Sequence, residues 1–385
     1  MRNLVLTSAV SLAWMACAVC SSVLAVDAGV TDSEIKLGAS VVLTGPLAPG
    51  TVSYGQGATL LFDEVNRKGG INRRLISVTR MDDGFDVARA TENTKKLINE
   101  DRVFLLFNST GTAHTAAILP LAVASKTVVF GPVTGATVFR EKFEKYLFNV
   151  RASYADEAKQ MTAQLKLTGV QRVAIFAQED TLGKTLSGEL VKAVQAEGLQ
   201  LVAQATTDPK KPDFAAAAAA TMKGRPEAVL MASSGSTFTG FVKALQATPT
   251  VDVKARVYGF SIVSPDSLTR DIGAAARGIV LAQIFPSLRN RREEVVNEYH
   301  QLLAKKDPAA KPSASQLEGF IHAKLLVEGL TRAGRNLNAE TFISAMESMR
   351  AVQYGKFIAR YSATAHLGSS YVELAIVDSD LLLRY

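Results

Sequence analysis

Short aliphatic runs alternate with amphipathic stretches from Ile35 onward, and the alternation runs its course twice. Runs at 35–43, 75–81, 103–107 and 127–130 read as strands, with helices at 53–67, 87–98 and 112–124 between them. In the first helix Ala58, Leu61, Phe62 and Val65 share one face, and Gly69-Gly70 ends it. After Phe148-Asn149-Val150-Arg151 the pattern restarts: helices at 155–167, 186–196, 214–222 and 238–245 interleave with strands at 172–177, 201–205, 228–231 and 256–259. Asp213 stands as the N-cap of an alanine-rich helix. Short strands that are aliphatic throughout, with helices between them, mark parallel sheets buried on both faces. The tail holds three helices (293–304, 316–332, 339–349) and a closing strand (371–377), too few strands for a third domain. The expected fold is therefore α/β, with two doubly wound, Rossmann-like lobes joined by several crossings and a cleft between them.

The first residues bear on the compartment. Arg2 is the only charge before Asp27, residues 4–24 are mostly Leu, Val, Ala, Ser and Met, and Val23-Leu24-Ala25 suits a signal peptidase. A cleaved leader at 1–25 is expected rather than an anchor, and Cys17 and Cys20 fit the lipoprotein pattern poorly. Both cysteines and the only tryptophan would leave with it, and the remainder carries 42 basic against 36 acidic side chains. Its basic clusters, Lys210-Lys211 and Arg289 with Arg291-Arg292, are not interleaved with aromatics, so no nucleic-acid partner is expected.

Signatures of catalysis are missing. There is no Gly-x-Ser-x-Gly elbow and no phosphate loop, and Gly55-Gln56-Gly57 falls inside a helix instead of opening one. His114, His300, His322 and His366 lack metal-ligand spacing, so neither metal nor cofactor is expected. Asp82-Asp83 reads as turn and cap rather than as an acid/base pair.

The informative segment is Asn108-Ser109-Thr110-Gly111-Thr112-Ala113-His114, at the carboxyl end of a strand and the start of a helix. Ligands of open α/β sheets bind at such places. Backbone N–H groups, the positive end of the helix and the hydroxyls of Ser109, Thr110 and Thr112 together suit a carboxylate. The next strand end carries a second hydroxyl-bearing loop, 131–137, with Thr134 and Gly135.

Ile35-Lys36-Leu37-Gly38, Leu43-Thr44-Gly45-Pro46, Tyr54-Gly55-Gln56-Gly57-Ala58 and Asn66-Arg67-Lys68-Gly69-Gly70-Ile71 resemble the opening of the leucine/isoleucine/valine-binding proteins of ABC importers. The resemblance continues through Asp82-Asp83, 109–112, 131–136, 149–154 and Ala276-Arg277-Gly278-Ile279. It implies a type I periplasmic-binding-protein fold with three interdomain crossings. Lobe 1 is then expected at 26–149 and 286–354, lobe 2 at 150–285 and 355–385. By the same resemblance Tyr54 is an aromatic at the cleft, Ser109 and Thr112 fall on carboxylate-binding positions, and Thr134 lies near a second hydroxyl position. Two positions depart from the family. Leu182 stands where an aromatic is common, and Phe260-Ser261 follows a strand where amino-acid binders place a glutamate for the α-ammonium.

The expectation is thus a monomeric periplasmic substrate-binding protein that captures a small carboxylate (a branched-chain or aromatic organic acid, or an amino acid) by hinge closure and delivers it to an ABC permease. A soluble extracellular sensor of the same fold is the alternative, and a hydrolase a more distant one. The ligand site is expected around Tyr54, Ser109, Thr110, Gly111, Thr112, Thr134, Gly135, Tyr154, Leu182, Phe260 and Ser261, with loops 178–183, 233–237 and 260–263 closing over it. Without a glutamate at 261, a carboxylate lacking an ammonium is the better ligand unless Asp180 or Glu179 reaches in to replace that glutamate. Arg151, at the first crossing, is placed to pair with a ligand carboxylate or with an interdomain acid, the structural pairing being slightly favoured for an arginine at a hinge.

Overall fold

The structure, a computed structural model, describes residues 28–45, 47–248 and 255–385. The expected leader at 1–25, with Cys17 and Cys20, and Pro46 of the first turn lie outside the described residues.

The first half runs β1 (Glu34–Val41), α1 (Ala48–Arg67), β2 (Leu75–Asp82), α2 (Val87–Asn99), β3 (Leu105–Phe107), α3 (Thr112–Ala124), β4 (Val128–Phe130), α4 (Val138–Glu141) and β5 (Leu147–Phe148). The second runs α5 (Tyr154–Leu167), β6 (Arg172–Gln178), α6 (Thr181–Ala196), β7 (Gln200–Thr207), α7 (Phe214–Met222), β8 (Ala228–Ala232), α8 (Gly235–Ala247), β9 (Arg256–Gly259), α9 (Pro265–Ile272) and β10 (Val280–Gln283). The tail is α10 (Glu294–Lys306), α11 (Ala314–Ala333), α12 (Ala339–Ser348), β11 (Ala351–Tyr354), β12 (Phe357–Ser362), β13 (Ala365–Ser369), β14 (Glu373–Val377) and β15 (Leu383–Arg384).

Among the described residues the strands form three sheets. One is wholly parallel in the order β2-β1-β3-β4-β5. A second repeats that order as β7-β6-β8-β9-β10 and adds β14 and β15 antiparallel at its edge. Strand order reverses between β1 and β3 in the first lobe and between β6 and β8 in the second. Loops diverge at such reversals and leave a crevice beyond the carboxyl ends of the strands. The chain passes between the lobes three times, at 149–153, 284–293 and 370–372.

The tail helices complete the first lobe, where Val296, Tyr299, Phe320, Phe342 and Met346 share a core with Leu37, Leu105, Phe130 and Phe148. The third sheet, β11-β12-β13, belongs to this core as well: Phe357, Ala359 and Tyr361 are buried in it, and the His366 ring stacks on Phe148 with centroids 3.7 Å apart. Residues 355–369, expected with the second lobe, therefore pack on the first, and the chain returns to the second sheet only at β14. Alternating apolar positions drive this, since β12 turns Phe357, Ala359 and Tyr361 inward on one face.

Helix starts follow the capping residues. Asp213 accepts from the Ala216 N–H at 2.9 Å. Asp180 accepts from the Gly183 N–H at 2.8 Å, so α6 begins at Thr181, five residues before the expected start at 186. α1 likewise begins at Ala48 rather than 53, with Pro49 in its first turn. No helix of the described residues is long and apolar enough to cross a membrane.

Candidate functional site

A cavity of about 300 Å³ lies between the lobes, at both reversals of strand order. The first lobe contributes Leu47, Tyr54, Phe85, Val133 and the segment from Thr110 to His114; the second contributes Asp180, Thr181, Leu182, Ser234, Ser261 and Ile262. Arg151, Ile284 and Phe285 line it from the crossings, Gln283 from the end of β10, and Leu317 and Glu318 from α11. Its walls are mostly apolar, and its size is at the small end of ligand sites.

The geometry of the helix start follows from three local features. Asn108 adopts φ 58°, a conformation asparagine tolerates, and turns the chain away from β3. A bridge from Thr110 to Val133 keeps the loops after β3 and β4 side by side. Gly111, at φ 108°, is the N-cap of α3, and no side chain caps that helix. α6 and α9, which also start at the cavity, are capped by Asp180 and Ser264. The positive end of α3 therefore opens toward the cleft with its first N–H groups unclaimed by any side chain.

Of the eleven residues expected at the site, Tyr54, Thr110, Gly111, Thr112, Tyr154, Leu182 and Ser261 line the cavity. The other four sit one layer behind the wall. Thr134 holds the Thr112 hydroxyl at 2.8 Å, Gly135 accepts from the Tyr154 N–H at 2.7 Å, and Phe260 meets the Tyr154 ring edge to face. Ser109, expected as a direct carboxylate donor, is buried off the lining, and its Oγ has no partner among the described residues. Asn108 makes the sharp turn after β3, and the side chain that follows it faces inward. Of the loops expected to close from the second lobe, 178–183 supplies Asp180 to Leu182, 233–237 supplies Ser234, and 260–263 supplies Ser261 and Ile262.

A buried polar chain runs beneath the cavity from one lobe to the other. The Asn108 Oδ1 lies 2.9 Å from His322 Nδ1, which lies 2.8 Å from the Tyr54 hydroxyl; Tyr54 donates to Glu318 at 3.4 Å. Glu318 pairs with Arg151 at 3.1 Å, and Arg151 donates to the Ser261 Oγ at 2.8 Å. Ser261 donates in turn to Glu157 from its hydroxyl at 2.9 Å and from its backbone N–H at 2.7 Å. Burial pushes Glu157 up to about 7 and raises Glu318, with Arg151 opposing both. The Arg151 guanidinium is itself penalised by burial, but Glu318, Tyr154 and Glu157 more than offset that. His322 is held neutral, well below its usual range, first by burial and then by Arg151. Arg151 thus pairs with an acid from α11 and bonds to the second lobe.

Where the family resemblance would place a carboxylate, Ser261 stands and donates to Glu157 of α5, which lies behind it, fully buried and off the cavity lining. Asp180 faces the cavity but is held by the Gly183 N–H and the Gln178 side-chain amide. Glu179 accepts from Thr206 and does not line the cavity. Asp82 and Asp83 shape the turn that follows β2. Asp82 takes the Thr44 hydroxyl at 2.6 Å and the Leu43 N–H at 2.8 Å, and lies low, at about 2, chiefly through Thr44. Asp83 takes Ser40 at 2.8 Å and the Phe85 N–H at 2.9 Å. Among the described residues no group of three or more His, Cys, Asp or Glu is placed to hold a metal ion.

Glu318, Glu157, Phe85 and Phe285 had no local signal in the sequence. Glu318 meets Tyr54 across 264 positions and Ser261 meets Glu157 across 104, pairings that only the fold creates.

Two like-ordered parallel sheets, three crossings and an apolar cleft with an open helix start define a two-lobed ligand-binding protein. The chain belongs to the periplasmic binding protein family, whose model matches residues 34–380. That family is one of substrate-binding proteins, and membership implies a periplasmic or extracellular location. The Leu/Ile/Val-binding protein BraC3 of Rhizobium johnstonii is 22% identical over 360 residues, 90% of this chain and 92% of its own. A possible leucine/isoleucine/valine-binding protein from Rhodopirellula baltica is 25% identical with a TM-score of 0.84, covering 92% of this chain and 97% of its own. An ABC transporter solute-binding protein from R. palustris, in complex with benzoate, has the same fold at 17% identity and a TM-score of 0.77, covering 90% and 94%.

Proposed function

We propose that the protein is the periplasmic substrate-binding component of an ABC importer, and that it captures a small carboxylate with an apolar body and no α-ammonium. The observation that carries this reading is the state of the carboxylates at the cavity. Glu318 is paired with Arg151, Asp180 caps α6, and Glu157 is buried behind Ser261. An ammonium would enter with no carboxylate unengaged, at a cost of several kcal/mol. An anionic group meets the open start of α3 and the hydroxyls of Thr110 and Thr112, a setting worth about 1.5–3 kcal/mol for each charge-assisted hydrogen bond. Phe85, Val133, Leu182, Ile262, Ile284 and Phe285 supply apolar walls for the rest. The benzoate complex of the R. palustris protein supports the idea that this architecture accommodates a carboxylate without an ammonium. In this reading the leader is cleaved, the protein acts as a monomer, and the closed form is what the permease recognises.

Isothermal titration with leucine, 4-methyl-2-oxopentanoate and benzoate tests it. Leucine is expected to bind about 100-fold more weakly than the better of the two acids that lack an ammonium. Tighter binding of leucine than of either would overturn the reading.

A further inference from the structure

The cavity wall holds a titratable side chain with no task in the capture described so far. His114, the third residue of α3, is only 3% exposed and lines the cavity. Neither ring nitrogen has a hydrogen-bond partner among the described residues. The ring stacks on Phe85, centroids 4.7 Å apart, and folds back over the helix start, so that a Cβ at Gly111 would fall 2.7 Å from Nδ1. An unpaired buried polar group costs about 1–3 kcal/mol, and such groups in native folds call for an explanation.

We propose that His114 contacts the bound carboxylate and takes up a proton with it, so that capture of the acid is proton-linked. This rests on the carboxylate reading above. In the free protein burial holds the imidazole below its ordinary pKa, while Asp83 and Asp86, facing it from the turn between β2 and α2, pull the other way. The Phe85 backbone favours the protonated ring but offers no well-aligned hydrogen bond. The start of α3 itself disfavours a cation. Asp180 and the Arg151–Glu318 pair face the same cavity, and all three side chains are already engaged. A carboxylate placed beside the ring adds an unshared negative charge and reverses the balance. A neutral ring in the free state and a charged one in the complex mean net proton uptake between the two pKa values. Affinity then falls as pH rises between the two, by up to about tenfold per pH unit, and levels off above the upper one. The same device selects an acid over its amide, which brings no charge to stabilise the proton.

The test follows the His114 ring by NMR across pH, with and without benzoate, 4-methyl-2-oxopentanoate or leucine. Titration calorimetry at pH 7 in phosphate and in Tris then reads the proton balance. The expected result is an upward shift of the His114 titration when a probe binds, with a net uptake of protons. In His114→Gln the net uptake of protons and the pH slope of the affinity disappear. If benzoate or 4-methyl-2-oxopentanoate binds with the His114 titration unmoved, or if uptake persists in His114→Gln, the inference falls and the carboxylate reading stands. If no probe binds, both fall.

Discussion

Glu157 illustrates how burial and charge balance at a single residue. It is fully buried, with Ser261 donating to it twice, yet it keeps its proton up to about 7 because burial outweighs the attraction of Arg151. In the unfolded chain a glutamate titrates near about 4.3. Between those values the native state binds more protons than the unfolded state, so stability falls as pH rises through the window and levels off above it. Glu318, also raised by burial, acts in the same direction. Replacing Glu157 by Gln removes one titration and keeps the shape. From pH 5 to pH 8 the stability of Glu157→Gln relative to the parent is expected to improve by about 2–3 kcal/mol in urea unfolding. A constant difference across that range would show that Glu157 does not keep its proton in the native protein.

The element that places Tyr54, Glu318 and His322 together is the pair α1 and α11, and its closeness rests on two glycines. A Cβ at Gly57 would lie 1.8 Å from the Gln316 carbonyl oxygen, and one at Gly319 would lie 2.0 Å from that of Tyr54. Backbone meets backbone at this crossing, so even a methyl group must push the helices apart. Gly319→Ala is expected to lose about 1–3 kcal/mol in thermal unfolding and to weaken ligand binding as well, since Tyr54 moves with α1. Gly188, inside α6 with open space around its Cβ position, is the control: Gly188→Ala should gain up to about 1 kcal/mol. Equal stability of the two variants would remove the close crossing as an organising contact. What the sequence made legible at this scale was periodicity. The helices at 112–124 and 214–222 have the observed bounds, because uninterrupted apolar patterns and the Asp213 cap mark them. Gly57 was readable as a helix residue that makes no phosphate turn, but not as a contact point, since its partner, Gln316, lies on a helix of the tail. α9 and the hairpin of β11 and β12 are not among the expected elements, although Ser264-Pro265 and the alternation Phe357, Ala359, Tyr361 announce them. The site was half legible for the same reason: the loop from Ser109 to Thr112 is local, whereas Arg151, Glu318 and Glu157 are gathered only by folding.

At the scale of the whole molecule, α3 ties the lobes together. It packs against α6 of the second lobe, and Leu119 of α3 joins Leu182 and Leu186 of α6 in one apolar cluster. The cavity lies at the amino ends of these same two helices, so a ligand seated on α3 is also in reach of Leu182. A ligand that touches both lobes binds the closed arrangement better than an open one and shifts the population toward it by that difference alone. At a concentration 100 times its Kd it also stabilises the fold by about 2.7 kcal/mol. A ligand held by the first lobe alone would raise the melting temperature without compacting the protein. Small-angle scattering and thermal unfolding with saturating ligand separate the two cases: a smaller radius of gyration together with a higher Tm is expected. Leu182→Ala should weaken binding by about 1–2 kcal/mol through lost apolar contact with the ligand, while the capped start of α6 keeps its geometry. A higher Tm with no compaction, and full affinity in Leu182→Ala, would make the second lobe a bystander and leave capture to the first.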